Sequence, residues 1–273
     1  MGGLRKAVGS SAVRPCCAAS KKNIPPVAAA LRKAYELMRA RFGHQHWWPG
    51  ETPFEVCVGA ILTQNTSWTN VERAIANLKA GGLLEPHRLL ALPEKRLAEM
   101  LRPAGYFNVK TRRLRAFLKA LVEEYGGDLQ RLLGGPLEQA RARLLSINGI
   151  GSETADSMLL YAGGQHVFVI DAYTKRIFMR HGWWQPLNGA RCPMPKGHNR
   201  ADYDSLQQLC EASLDEKPAS QRLDYWQDYH AQLVMVGKHF CASRRPRCEE
   251  CPLRPLLPSG EGGGRTSCPI LAP

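Results

Sequence analysis

The chain has 273 residues, of which 44% are hydrophobic, so its apolar side chains suffice for one large core or two small ones. Its 37 lysines and arginines outnumber 24 acidic residues, and the net charge of +13 favours polyanionic partners, nucleic acid first among them. Because no apolar run reaches the roughly 18 to 20 residues of a membrane span and the basic start has no hydrophobic signal core, we expect no membrane partner and a cytoplasmic, nucleoid-associated location.

The spacing of the apolar residues predicts an all-α protein. Residues 1–22 are rich in small and basic residues without an apolar period, which indicates a disordered basic tail. From Pro25 to about residue 160 the apolar residues recur at helical spacing, and strand signals are absent. Gly and Pro residues separate the predicted helices, which lie near 70–80, 86–103, 108–125, 136–146, 152–162, 203–214 and 221–239.

The most informative segment runs from Leu144 to Asp156 and is predicted to be a helix, a tight turn and a second helix. Glycines in the turn allow backbone angles closed to other residues and let a phosphate oxygen approach the amides. The second helix directs its N-terminal amides and positive dipole end at the same anion. Such a turn holds a nucleic-acid phosphate without reading sequence. An ordinary helix end with a glycine turn is the alternative. The candidate DNA-binding residues are Asn148, Gly149, Ile150, Gly151 and Thr154.

The order apolar, Gly, apolar, Gly, two variable residues, Thr-Ala resembles the helix-hairpin-helix of base excision DNA glycosylases of the endonuclease III type. The resemblance covers about residues 25 to 255 and implies two helical lobes. A six-helix barrel carrying the hairpin would span 46–164, and 23–45 would join 165–273 in a second lobe with the cysteine cluster. DNA would lie across the cleft between the lobes.

The resemblance also implies a catalytic residue, Asp171, which an apolar run delivers to the start of a helix. Asp is a common N-cap as well, and capping alone would explain its position. Endonuclease III has a lysine nucleophile two residues after the second hairpin glycine, where this chain has Glu153. A carboxylate forms no Schiff base with C1′ of the sugar, so we expect a monofunctional enzyme that uses water. Glu153 is equally compatible with a residue favoured by the helix dipole.

A second block, from Trp47 to Trp68, resembles the first barrel helix and following loop of the 3-methyladenine DNA glycosylases in this family. Gln64 takes the place of the glutamine that fills the gap left by a flipped base, and helix-end solvation is the alternative. Trp48, Pro49 and Trp68 take the places of the residues that sandwich the base, although they could also be core aromatics. An alkylated purine is cationic, so stacking on indole gains about 1 to 2 kcal/mol.

Nine cysteines without a secretion signal favour reduced thiols and metal ligands over disulfides. Cys241, Cys248 and Cys251 have the spacing of the first three ligands of the iron–sulfur site in many endonuclease III relatives. The fourth position of that pattern is Leu257, and Cys268 follows a glycine-rich loop long enough to return. The resemblance therefore implies a [4Fe–4S] cluster with Cys268 as its fourth ligand, and zinc is the alternative.

These features together predict a monomeric DNA glycosylase that removes an alkylated purine from double-stranded DNA and leaves an abasic site. Three rivals remain open. One is a glycosylase and lyase for oxidised pyrimidines, which needs a substitute amine. The others are a mismatch glycosylase acting on uracil, thymine or adenine, and a DNA-binding relative without catalysis.

Overall fold

A computed structural model describes residues 27–47, 50–187 and 199–258. These residues form α-helices and short 3-10 turns with no β-strand among them, so the predicted all-α class is confirmed. No described helix is long and apolar enough to cross a membrane. The helices are α1 (Ala28–Phe42), α2 (Pro53–Leu62), α3 (Trp68–Ala80), α4 (Pro86–Ala91), α5 (Glu94–Leu101), α6 (Phe107–Tyr125), α7 (Leu129–Leu133), α8 (Leu137–Leu145), α9 (Ser152–Tyr161), α10 (Ala172–Arg180), α11 (Arg200–Ser213) and α12 (Ala219–His239). The 3-10 turns are Arg102–Ala104, Cys248–Glu250 and Arg254–Leu256.

The predicted helix over 86–103 is two helices, α4 and α5. Leu92 ends α4 in an extended conformation with ψ 139°, because the ring of the following Pro93 disfavours the helical region at the preceding residue. A short helix that the pattern did not predict, α7, begins at an N-cap. The Asp128 carboxylate there accepts hydrogen bonds from the backbone N–H of Gln130 at 2.8 Å and of Arg131 at 3.4 Å.

Helix α2 is the centre of the first part of the chain. Nine of its ten residues are buried, so it is apolar on all sides, and it packs against α3, α6 and α9. Its one buried acid, Glu55, forms an ion pair of 2.9 Å with Lys79 of α3. The C-terminal end of α2 leads directly into the loop that carries Gln64, so this loop starts from a fixed point.

The N-terminal helix α1 packs against α12, near the other end of the described chain. The rings of Tyr35 and Tyr229 stack with centroids 5.5 Å apart. Buried Asp228 accepts hydrogen bonds from the Tyr35 hydroxyl at 2.8 Å, from Arg39 at 3.1 Å and from the backbone N–H of Gln45 at 2.8 Å. The predicted division into two lobes, with its boundaries, stays a prediction.

A buried polar network joins the two hairpin helices to the segment that leads to Asp171. The fully buried Asp156 of α9 accepts Nε–H of Arg141 on α8 at 2.7 Å, and the hydroxyl of Tyr203 on α11 at 2.8 Å. Gln207 on α11 bonds both Asp156, at 2.8 Å, and the carbonyl oxygen of Phe168, at 2.6 Å. The hairpin and the strand-like segment before α10 are therefore held in one fixed relation.

Candidate active site

Asp171 lies at the N-terminus of α10, after the buried segment Val167–Ile170. Its Oδ1 accepts hydrogen bonds from the backbone N–H of Thr174 at 2.7 Å and from the Thr174 hydroxyl at 2.8 Å. Asp171 is thus a helix cap, as the alternative prediction had it. Since Oδ1 alone makes the capping bonds, Oδ2 is left for another role, and capping does not exclude chemistry.

The carboxylate of Asp171 is buried, and only 8% of the residue is exposed. Burial by itself raises the pKa of this group, but the interaction with His230 and the hydrogen bonds from Thr174 outweigh it and lower the pKa below its ordinary value. Oδ2 lies 3.7 Å from Nε2 of His230 on α12. The site therefore holds an ionised carboxylate in a largely dry environment, where its charge acts more strongly than in water.

The predicted hairpin is present: α8, the turn from Ser146 to Gly151, and α9. Ile147 and Ile150 are buried and anchor the turn, whereas Asn148 and Gly151 are exposed. Gly149 has φ +89°, a conformation that side chains rarely adopt. A Cβ at Gly149 would also overlap the side chain of Arg113, whose Cδ would lie 2.8 Å away. At Gly151 the backbone is extended and a Cβ would meet nothing within 4 Å, so this glycine faces open space.

Gln64 is bonded to the hairpin. Its Nε2 donates to the carbonyl oxygen of Gly149 at 3.2 Å and to the hydroxyl of Thr154 at 2.9 Å, and its Oε1 accepts from Arg113. In this conformation Gln64 braces the turn, so the predicted insertion into a DNA gap would require these bonds to open. Thr154 is buried and its hydroxyl accepts the hydrogen bond from Gln64, so its side chain supports the turn and does not face solvent.

Glu153 is the second residue of α9, and it lies within electrostatic range of Lys175 on α10. Burial lowers the pKa of Lys175 and of Lys238 on α12, and the charge of Asp171 acts on both amines in the opposite sense. The Lys238 ammonium nitrogen lies 5.2 Å from the ring centroid of Trp47. Two amines thus lie in the electrostatic environment of Asp171, although neither occupies the position of Glu153.

Of the three residues predicted to sandwich a base, the structure describes one. Trp68 is the first residue of α3, is partly buried, and donates its indole N–H to Glu72 at 2.8 Å. Trp48 and Pro49 lie outside the described residues. The base-stacking slot stays a prediction.

Three of the four predicted cluster ligands line one pocket. Cys241, Cys248 and Cys251 share it with Arg180 and Leu257, and none of the three cysteines forms a disulfide among the described residues. Arg180 donates to the sulfur of Cys241 at 3.0 Å, which suits a thiolate. Cys268 lies outside the described residues. Among the described residues, no group of three or more His, Cys, Asp or Glu side chains is placed so that it could bind one metal ion. The three thiols that line this pocket are the described residues that would hold a cluster of the predicted kind.

The sequence analysis assigned no role to two residues at the start of α6. Tyr106 precedes α6 in a left-handed conformation with φ +45° and is 72% exposed, so a large aromatic ring faces solvent. One turn further on, Lys110 is buried and donates to the carbonyl oxygen of Ala104 at 2.6 Å, and burial lowers its pKa to about 8. The sequence contains one signal for Tyr106, a glycine followed by an aromatic at a helix start. It contains none for Lys110, because a lysine is normally exposed.

Comparisons with known proteins agree with this fold. Residues 58–196 match the HhH-GPD superfamily of base excision DNA repair proteins. A protein of Methanocaldococcus jannaschii, named provisionally as a DNA repair glycosylase, is 44% identical over 231 residues, which cover 82% of this chain and 94% of that protein. A non-covalent endonuclease III–DNA complex is similar with TM-score 0.64 at 22% identity, covering 84% of this chain and 94% of that chain. A Helicobacter pylori 3-methyladenine DNA glycosylase bound to 1,N6-ethenoadenine is similar with TM-score 0.59 at 26% identity, covering 78% of this chain and 95% of that chain.

An all-helical fold with this hairpin, together with the family match over residues 58–196, defines the class of helix-hairpin-helix base excision repair proteins. The chain belongs to the HhH-GPD superfamily of base excision DNA repair proteins, and it is a DNA N-glycosylase. The predicted family and enzyme class are therefore confirmed.

Proposed function

We propose that this glycosylase removes an alkylated purine of the 3-methyladenine type from double-stranded DNA by hydrolysis and leaves an abasic site. The observation that carries the proposal is the geometry of Asp171, which is buried, with Oδ1 held by the helix cap and Oδ2 outside the cap. His230 and Thr174 lower the pKa of this carboxylate, which favours its ionised form. A fixed carboxylate in a dry site stabilises positive charge that develops on a sugar ring.

The chemistry needs few other groups. An alkylated purine carries positive charge, so it leaves C1′ without a strong general acid. The bond from C1′ to the base nitrogen breaks and its electron pair leaves with the base. Asp171 stabilises the resulting oxocarbenium-like sugar, and Oδ2 orients or deprotonates the water that attacks C1′. Glu153 lies where an attacking lysine would be needed for strand cleavage, which favours hydrolysis alone.

DNA binding would use the hairpin. The exposed backbone of Gly151 and the N-terminal amides of α9 would hold one phosphate, and the net charge of +13 supplies attraction at longer range. The flipped base would stack between Trp68 on one side and Trp48 with Pro49 on the other. We propose a monomer that acts in the cytoplasm on nucleoid DNA.

We propose further that Cys241, Cys248, Cys251 and Cys268 hold a [4Fe–4S] cluster. When bound, this group supplies a rigid covalent staple for the C-terminal loops rather than chemistry at the base. Cys241 is the anchor of the site, because Arg176 bonds its carbonyl oxygen at 2.7 Å and Arg180 bonds its sulfur. The basic segment from Arg244 to Arg247 lies between the first two cysteines and would be held toward phosphates.

The deciding experiment uses end-labelled duplexes that contain 3-methyladenine, thymine glycol or uracil. We expect fast release of 3-methyladenine, with strand breaks only after alkali. The lyase rival is favoured by the amines of Lys175 and Lys238, both of which interact electrostatically with Asp171. Borohydride added during turnover would trap a covalent protein–DNA adduct if either lysine served as nucleophile. Such an adduct, with thymine glycol as the preferred base, would contradict the proposal.

A further inference from the structure

Two side chains, the partly buried Tyr161 and the buried His230, form a row that ends at the buried Asp171, the N-cap residue of α10. The hydroxyl oxygen of Tyr161, on α9, lies 2.6 Å from Nδ1 of His230, on α12. On the other side of the imidazole, Nε2 lies 3.7 Å from Oδ2 of Asp171, on α10. His230 is 4% exposed and Asp171 8%, so bulk water is largely excluded from the row.

The hydrogen bonds of Tyr161 restrict where the imidazole carries its hydrogen. The hydroxyl can donate to Nδ1, and the neutral ring then has its hydrogen on Nε2. Otherwise it donates to the carbonyl oxygen of Gln227 at 3.2 Å, and Nδ1–H donates back to Tyr161. In that second scheme, Nε2 of a neutral ring would direct a lone pair at the Asp171 carboxylate, and this contact is repulsive. The contact becomes favourable only when Nε2 also carries a hydrogen. Both favourable arrangements therefore place a hydrogen on Nε2, directed at Oδ2.

No other hydrogen-bond partner of Nε2 is present among the described residues. The two oxygens of Asp171 are thereby differentiated, since Thr174 holds Oδ1 and only His230 restrains Oδ2. At 3.7 Å the contact is longer than a hydrogen bond, so it leaves Oδ2 able to accept from a water or to face the sugar. An N–H directed at Oδ2 fixes the rotation of the carboxylate group and leaves Oδ2 able to accept a hydrogen bond.

We infer that His230 is a positioning residue for base excision, with its tautomer fixed by Tyr161 and its Nε2–H directed at Oδ2 of Asp171. The inference rests on the proposed catalytic role of Asp171. It adds Tyr161 and His230 to the proposed catalytic machinery. These two residues are remote from each other in sequence, touch neither base nor phosphate, and act through the carboxylate of Asp171. Burial raises the pKa of Tyr161 well above its ordinary value, so its hydroxyl stays protonated and keeps this role across the working pH range.

The pH dependence of the reaction distinguishes this role from simple packing. The titratable groups that interact with Asp171 are His230 and Lys238 on α12, Tyr173 and Lys175 on α10, and Tyr161 on α9. His230 lowers the pKa of Asp171, so its removal raises that pKa. The acid limb of the rate profile then moves to higher pH, because the carboxylate loses a favourable partner.

Four variants of the full-length protein test the inference under single-turnover conditions from pH 4 to 9. His230→Leu removes the donor, and Tyr161→Phe removes the group that fixes the tautomer. His230→Gln places an amide N–H near the position of Nε2 and should restore part of the function. Asp171→Asn tests the proposed catalytic role independently. DNA affinity and melting temperature of each variant, measured beside the rates, report loss of folding separately.

We expect His230→Leu to lower the plateau rate by about tenfold through misorientation of the carboxylate, and to shift the acid limb upward. Tyr161→Phe should show the same shift to a smaller extent, and His230→Gln should recover both readouts. In protein labelled with 15N-histidine, the hydrogen of His230 should be found on Nε2. The inference is wrong if the rate falls with no movement of the acid limb and no recovery in His230→Gln, or if both substitutions leave the parent profile unchanged. Turnover by Asp171→Asn would instead overturn the proposed function.

Discussion

The two hairpin glycines provide a matched pair of substitutions that differ in their expected effect on stability. Gly149→Ala places a side chain at φ +89°, which costs about 1 to 2 kcal/mol for an L-residue. The new methyl group also overlaps Arg113, whose bond to Gln64 contributes about 1 kcal/mol when buried. The sum is about 2 to 3 kcal/mol of folding free energy, or a melting temperature lower by about 5 to 10 °C.

Gly151→Ala makes the same chemical change two residues away, in a different environment. The backbone there is extended with φ −97°, and a Cβ meets nothing within 4 Å, so alanine fits without strain. We expect no loss of stability. The methyl group would stand between the hairpin amides and an approaching phosphate, however, and we expect DNA affinity to fall about two- to tenfold, the size of one weakened hydrogen bond.

Thermal unfolding and fluorescence anisotropy on a labelled duplex measure the two effects separately. Gly149→Ala should lose stability and also bind DNA more weakly, because the turn is displaced. Gly151→Ala should lose affinity alone. The reasoning is refuted if Gly149→Ala melts with the parent protein, or if Gly151→Ala is destabilised while its affinity is unchanged.

Four other predictions follow from the same structure. Asp171→Asn should abolish base release, measured by chromatography of the freed base, while DNA affinity stays within a few-fold because asparagine still caps α10; near-parental turnover would remove the carboxylate from the mechanism. Trp68→Ala should slow excision of cationic 3-methyladenine by about five- to thirtyfold and affect neutral bases less, since stacking contributes about 1 to 2 kcal/mol; equal rates of the variant and the parent on the cationic base would contradict the stacking slot. The purified protein should be yellow-brown with absorption at about 400 nm, and Cys268→Ser should remove this absorption. Colourless protein that contains neither iron nor acid-labile sulfide after anaerobic preparation would exclude the cluster. Arg141→Met should lower the free energy of unfolding, measured by urea denaturation, by about 3 kcal/mol, because it leaves the buried carboxylate of Asp156 without its cation. The control Arg96→Met removes an exposed ion pair with Glu99 and should change that free energy by less than about 1 kcal/mol. Similar effects of the two substitutions would argue against the buried network.

The sequence determined those features of this protein that depend on residues close together in the chain. Helical spacing fixed the all-α class, and the Gly-x-Gly turn with its flanking apolar residues fixed the hairpin. The apolar run before Asp171 placed that residue at a helix start. The break at Pro93 was also present in the sequence but was missed, because apolar spacing continues across it and only the proline marks the boundary.

Only the tertiary structure decided which side chains meet across helices. Apolar spacing shows which face of a helix is buried, but it does not show which residue of a distant helix packs against that face. His230 was therefore not predicted to face Asp171, and Gln64 was not predicted to brace the turn that carries Gly149. The hydrogen bond between Tyr161 and His230 is the clearest case, since the two residues lie 69 positions apart in the chain. Such pairings depend on how helices cross in space, and that geometry is set by the packing of the whole core.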